Sequence, residues 1–171
     1  MDEHELNRRA IAGNDEAFLA LMHLHKEALL RMALAFLKNE HDALEALQEV
    51  TYRAYKKIHT VKQPDYLKTW LIRIMMNYCN DHLKKNRRLV FGEADKEAGS
   101  NMPDGLEIAE ALSCLPLAEQ QLIHLKYFQD VKIKDIAAME NIPEGTVKSR
   151  LHKTLRTLRG HFTEKEAADH V

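Results

Sequence analysis

Thr146, Lys148, Ser149, Arg150, His152, Lys153 and Arg156 fall within eleven positions of one another. At about 100° per residue from Val147, residues Val147, Leu151, Leu155 and Leu158 share one side of a helix. Ser149, His152, Lys153 and Arg156 fall around the opposite side, with Lys148 beside them. Such an outer face offers cations for phosphate oxygens and polar groups for base edges. Taken alone, it is also the face of any Lys- and Arg-rich surface helix.

The residues before it decide between the two. Ile133 to Met139 reads as a short helix whose small residues, Ala137 and Ala138, allow a second helix to approach closely. The turn Glu140-Asn141-Ile142-Pro143 stops it and starts another helix, about Glu144 to Arg159. This is the layout of a helix-turn-helix, and it favours DNA binding by the second helix.

A second basic block lies upstream. Residues 53–90 carry 10 basic and 2 acidic side chains, and residues 131–161 carry 7 and 3. Between them, residues 91–119 carry 1 basic and 7 acidic, while residues 1–52 carry 5 and 10. The overall charge of −1 therefore hides two places suited to a polyanion, separated by a segment that repels one.

Elements that could position these groups follow from the apolar spacing. Gly13-Asn14-Asp15 ends one helix and starts another, with Asn14 or Asp15 as cap. Phe18, Leu21, Met22, Leu29, Met32, Ala33 and Phe36 give the core face of that helix, and Lys38-Asn39 ends it with Asn39 in the left-handed position. A further helix, about Asp42 to His59, presents Leu44, Leu47, Val50, Ala54 and Ile58. Pro64 breaks the chain, and Asp65 caps a helix over about 66–85 with the stripe Leu67, Trp70, Leu71, Ile74, Tyr78 and Leu83. Trp70 and Tyr78 are read as core because both sit on that stripe.

Periodicity vanishes between about Arg88 and Gly105, which reads as a linker. After it come a short helix, Leu106 to Ser113, and another begun by Pro116, with Leu122, Ile123, Leu125 and Tyr127 as core candidates. The expected fold is all-α, with two small helical domains joined by a flexible linker and a helix-turn-helix in the second. The expected boundaries are 1–87, linker 88–105, 106–161, and a frayed charged tail over 162–171. At 171 residues and 45% apolar the chain can bury a core. The longest run free of Asp, Glu, Lys and Arg, Ala17 to His25, is far short of the roughly 20 apolar residues of a membrane span. The acidic start reads as no secretory signal, and Cys79 and Cys114 as reduced thiols.

Ile142-Pro143-Glu144-Gly145-Thr146-Val147-Lys148-Ser149-Arg150-Leu151-His152 resembles the region 4 signature of extracytoplasmic-function sigma factors of bacterial RNA polymerase, within the sigma-70 family. Asp42-Ala43-Leu44-Glu45-Ala46-Leu47-Gln48-Glu49-Val50 is similar to region 2.2 of that family. Leu67-Lys68-Thr69-Trp70-Leu71-Ile72-Arg73-Ile74, with Asn77, Asp81, His82 and Leu83, is similar to regions 2.3 and 2.4. The blocks stand in family order. Thr51 departs from the pattern, standing where the family often has a bulky apolar residue, and the loop Thr60 to Pro64 does not point to a particular promoter class.

The resemblance implies a transcription initiation factor with no catalytic residues, no cofactor, no metal and no small-molecule substrate. Its partners would be core RNA polymerase, promoter DNA and an anti-sigma factor. Asp42, Glu45, Leu47, Gln48, Glu49 and Arg53 would dock on the largest-subunit clamp. Lys62, Lys68, Arg73, Asn77, Asn80, Asp81, Lys84 and Lys85 would meet the minus-ten element, where a base is flipped into a pocket around the loop His59 to Asp65. Lys56, Lys57, Arg87 and Arg88 would add positive field. Lys148, Ser149, His152 and Lys153 would read the minus-thirty-five element, with Thr146, Arg150 and Arg156 on phosphates. The implied location is cytoplasmic, with an anti-sigma factor able to hold the protein at the inner membrane face.

The rival readings are a stand-alone helix-turn-helix regulator, which leaves residues 42–83 unexplained, and a helical interaction module without DNA affinity, which leaves the basic face unexplained. His23 with His25, and Cys79 with His82, lack a second pair at zinc spacing. His124 reads as a satisfied core histidine. No phosphate loop, nucleophile elbow or His-Glu-x-x-His motif occurs.

Overall fold

A computed structural model of the protein describes residues 2–89, 111–112 and 114–169. These residues are helices and connecting turns, with no strand among them. The chain divides into two compact units, Met1–Ser100 and Asn101–Val171. The expected linker lies outside the described residues from position 90 onward. So does the expected helix Leu106 to Ser113, apart from Ala111 and Leu112, which are helical and buried.

The first unit is built from α1 (Glu3–Ile11), α2 (Asp15–Leu37), α3 (Glu40–Lys57) and α4 (Leu67–Leu89). Short 3-10 turns, Ile58–Thr60 and Pro64–Tyr66, join α3 to α4. Gly13 separates α1 from α2 at φ +94, a region that costs a side chain but not glycine. Asn14 then caps α2, its side chain accepting from the Ala17 amide at 2.8 Å.

The α2–α3 corner differs from expectation. Lys38, not Asn39, takes the left-handed position, at φ 56. Asn39 is extended and caps α3, accepting from the Asp42 amide at 2.9 Å. A residue with a good capping side chain serves the new helix better than the old one, so the lysine absorbs the strain.

The core of α3 is lined by Ala43, Ala46, Val50, Ala54 and Ile58, and Leu44 is 43% exposed. Leu44 is therefore not a core residue. Small side chains let α3 pack closely on α2 and α4, which a leucine stripe would prevent. The stripe of α4 is likewise rotated. Leu67, Leu71, Ile72, Met75, Met76 and Cys79 are buried, while Trp70, Ile74 and Tyr78 are half-buried. Trp70 and Tyr78 are thus rim residues, not the core residues that the apolar pattern suggested.

The second unit contains α5 (Leu117–Ile123), a π-helical turn (His124–Phe128), α6 (Ile133–Glu140) and α7 (Glu144–Asp169). Pro116 precedes α5 as its cap residue instead of opening it. Leu112, Leu115, Leu122, Ile123, Leu125, Ile136, Ala137, Val147 and Leu151 form the core. Tyr127 is 52% exposed, because the wider π turn shifts the register that α-helical spacing assumed. The frayed tail is also corrected: α7 runs unbroken to Asp169.

Candidate nucleic-acid and polymerase interfaces

In the second unit, α6 ends at Asn141, whose left-handed φ of 54 reverses the chain. The Ile142 amide donates to the Ala137 carbonyl at 3.1 Å, closing the helix end. The Pro143 carbonyl accepts from the Thr146 and Val147 amides at 3.0 and 3.2 Å, which starts α7. Ala137 is buried at the contact; Ala138 is exposed and takes no part in it.

Val147, Leu151 and Thr154 anchor the inner side of α7, with Leu155 and Leu158 partly buried beside them. Thr154 is fully buried, and its hydroxyl donates to the Arg150 carbonyl at 2.8 Å. That bond satisfies the buried hydroxyl. Lys148, Ser149, Arg150, His152, Lys153 and Arg156 are all exposed on the outer side, and Thr146 is half-buried. The structure therefore brings all seven onto one helix, six of them open to solvent.

Two details refine this face. The Ser149 hydroxyl donates to the Gly145 carbonyl at 2.9 Å, so its lone pairs face outward as acceptors. An Arg156 terminal nitrogen lies 3.3 Å from His152 Nε2, which ties a long cation to a ring one turn earlier. A helix with this outer face, held by a short second helix, has the shape and donor set that the major groove accepts.

His124 opens the π turn and is partly buried, with Gln129 Nε2 at 3.4 Å from its ring nitrogen. Burial pushes its pKa down to about 4.

In the first unit, Arg73, Asn77, Asn80, Asp81 and Lys84 fall within one arc of α4, opposite Leu71, Ile72 and Met75. Trp70 lies in the same arc. Asn77, Asp81 and Lys84 are exposed, while Arg73 and Asn80 are half-buried. Burial lowers the pKa of Arg73, which nonetheless stays cationic. Lys85 is exposed at the edge of the arc, and Lys62 is exposed in the turn before α4. Lys68 is exposed on the other side of the helix, near enough to buried His25 to oppose its protonation. The helical backbone continues through Arg87 and Arg88, but their side chains lie outside the described residues.

The six residues expected to dock on polymerase divide into three groups around α3. Glu45 and Gln48 are exposed and point away from the bundle. Asp42, Glu49 and Arg53 are half-buried on the side nearest α4. Arg53 Nε donates to Glu49 Oε1 at 2.9 Å, and its guanidinium lies over the ring of Tyr78. Asp42 approaches His82 Nε2 at 3.6 Å, and His82 in turn stacks on Tyr78. Leu47 lies on the α2 side, half-buried.

There Leu47 and Thr51 line a shallow depression of about 110 Å³ with Leu19, Met22, His23 and Lys26. Thr51 donates its hydroxyl to the Leu47 carbonyl at 2.7 Å, so it presents mainly a methyl group. Two exposed aromatics, Tyr52 and Tyr55, were missed by the apolar reading. Lys56 lies 4.6 Å from the centre of the Tyr52 ring, a spacing of four residues that could have signalled the pair. Tyr55 donates to Asp15 at 3.0 Å, a bond that raises its pKa.

The sequence matches the family Sigma-70 region 2 over residues 21–89 and Sigma-70, region 4 over residues 105–158. It is 30% identical to the RNA polymerase sigma factor SigV of Bacillus subtilis, over 83% of this chain and 89% of that one. It is also 30% identical to the ECF RNA polymerase sigma factor SigL of Mycobacterium tuberculosis, over 88% of this chain and 91% of that one. Among solved structures the fold is similar to CnrH in complex with the cytosolic domain of CnrY, at a TM-score of 0.65 and 22% identity, covering 95% of this chain and 97% of that one. It is also similar to the sigma factor RpoE of Bartonella quintana in complex with the anti-sigma factor NepR, at a TM-score of 0.59 and 24% identity, covering 85% and 96%. With both regions matched in order and relatives spanned over most of their length, the chain belongs to the extracytoplasmic-function sigma factors of RNA polymerase.

Proposed function

We propose that this sigma factor divides promoter recognition between its two units as follows. The outer face of α7 holds the duplex minus-thirty-five element. Lys148, Ser149, His152 and Lys153 meet base edges, and Thr146, Arg150 and Arg156 meet phosphates. The polar arc of α4, with Lys62 and the loop His59 to Asp65, holds the opened minus-ten strand. Arg73, Asn77, Asn80, Asp81, Lys84 and Lys85 belong to that surface, and Lys68 adds field from the far side. Stacking lost on flipping a base is a few kcal/mol, which the cations and the loop pocket must offset.

Asp42, Glu45, Leu47, Gln48, Glu49 and Arg53 meet the largest-subunit clamp of core RNA polymerase. The domains extend over 1–87 and 106–161, and the segment between them makes the two DNA contacts effectively intramolecular. The protein does no chemistry of its own; the polymerase makes the RNA. It works in the cytoplasm, where an anti-sigma factor holds it inactive, either free or at the membrane face. Among the described residues no helix is long and apolar enough to cross a membrane.

One observation carries this reading: a solvent-facing polar and cationic side of α7, in a chain whose other unit carries the region 2 helices. Run-off transcription with core polymerase on a genomic fragment library tests it. Discrete starts that need the protein are expected, and Ser149→Ala with Lys153→Ala should alter the upstream element alone. A protein that neither binds core nor creates new starts refutes it.

A further inference from the structure

Helix α1 precedes the residues matched by the region 2 family, which begin at position 21. It nevertheless packs on both 3-10 turns of the α3–α4 connection as well as on α2. Asn7, only 4% exposed, donates its side-chain amide to the Pro64 carbonyl at 3.0 Å, across 57 residues of sequence. One turn earlier, His4 Nε2 lies 3.7 Å from Asp65 Oδ1. On the other side, Glu3 lies 3.8 Å from the ring nitrogen of buried His25. One helix thus holds consecutive residues of the loop, Pro64 and Asp65, while anchored to α2.

The loop has few ties of its own. Its backbone bonds are local: the Val61 amide to the Ile58 carbonyl at 3.0 Å, the Tyr66 amide to the Gln63 carbonyl at 3.1 Å, and the Leu67 amide to the Pro64 carbonyl. None of them fixes where the loop sits on the bundle. The Asn7 bond does, because it joins the Pro64 carbonyl, which the Leu67 amide holds only to its own turn, to a separate helix. Pro64 adds a rigid φ at the point held, so displacement there is passed to Lys62 and Gln63 instead of being absorbed.

We propose that α1 is a brace for the minus-ten pocket, with Asn7 and His4 as positioning residues that set base preference without touching DNA. This rests on the reading that the loop His59 to Asp65 forms that pocket.

The test uses the full-length chain with core polymerase on templates carrying each base across the minus-ten element of a responsive promoter. Asn7→Leu keeps the branching and the number of heavy atoms and removes the donor. It should lower the ratio of preferred to disfavoured minus-ten bases by about fivefold, the equivalent of one ordinary hydrogen bond. Minus-thirty-five preference and core affinity should stay as they are, and amides of residues 58–66 should exchange faster than those of α2 and α3. His4→Ala, at an exposed contact, should act in the same direction and more weakly.

A minus-ten ratio that Asn7→Leu leaves unchanged overturns the proposal. So does an equal loss on every template, which would make Asn7 a fold residue only. If Asn7→Leu does not fold, His4→Ala carries the test alone, and an unaltered preference there overturns it. A wild-type chain that starts transcription with no minus-ten preference removes the parent reading and the brace with it, and is told apart by its normal core binding.

Discussion

The guanidinium of Arg53 lies 5.4 Å from the centre of the Tyr78 ring, joining the α3 surface proposed for polymerase with the α4 surface beside the arc proposed for the minus-ten strand. Both residues are partly exposed, so the contact is worth about 0.5–1 kcal/mol. A double-mutant cycle of Arg53→Ala and Tyr78→Leu, followed by urea denaturation, should return a coupling of that size. Additive effects would show that the ring and the cation share space without interacting.

Two helix caps in the first unit each make a separate prediction. Asn14→Ala and Asn39→Ala should each cost about 1 kcal/mol of unfolding free energy, and Asn→Asp at either position much less. Because Asn39 caps α3 while Lys38 carries the left-handed residue, Lys38→Gly should stabilise by a few tenths to about 1 kcal/mol. A destabilising Lys38→Gly would contradict the assigned corner.

Acid should loosen the second unit through His124. Its folded pKa of about 4 lies below the ordinary 6.5, so the unfolded chain takes up the proton first. Stability is therefore full above pH 6.5, declines as pH falls from there towards 4, and by then has lost about 3 kcal/mol at most. His25, whose pKa burial also lowers, acts in the same direction in the first unit. In thermal melts, the stability difference between wild type and His124→Asn should change between pH 6.5 and about 4 and stay constant outside that window.

The two thiols should differ sharply. Burial pushes Cys79 up to about 12, while Cys114 is exposed. A thiol reagent at pH 8 should label Cys114 at once and Cys79 only on unfolding.

On DNA, Arg150→Ala should weaken binding alike on all sequences and flatten the salt dependence by about one unit of slope. Ser149→Ala should instead relax selection at one minus-thirty-five position by about 1–3 kcal/mol. Holoenzyme binding measured across a salt series separates the two outcomes.

The helix-turn-helix was legible because each of its signals is local. Ala137, Asn141, Pro143 and the Val147-to-Leu158 spacing state the turn and the inner face without help from the rest of the chain. The stripes of α3 and α4 were less legible. Apolar weight drew Leu44, Trp70 and Tyr78 inward, whereas packing distance selected Ala43, Ala46 and Ala54 and left the large residues at the rim. Which neighbour a helix faces is not written in its own periodicity. Tyr127 was misplaced because a π turn adds a residue that 3.6-residue spacing cannot anticipate. Asn7 gave no signal at all, since its partner is a backbone carbonyl 57 positions away.

Helix α7 runs for 26 residues, about 39 Å at 1.5 Å per residue. The residues proposed to face the groove occupy only its first half. What remains is a handle rigidly joined to the reading end. A load at Phe162 or beyond turns the seven side chains proposed for DNA as a unit, since the intervening backbone has no break at which to yield. Lengthening the rod by one residue after Arg159 would leave the reading face in place and swing the handle by about 100°. The two ends of this helix can therefore be re-aimed independently, although neither can be moved alone.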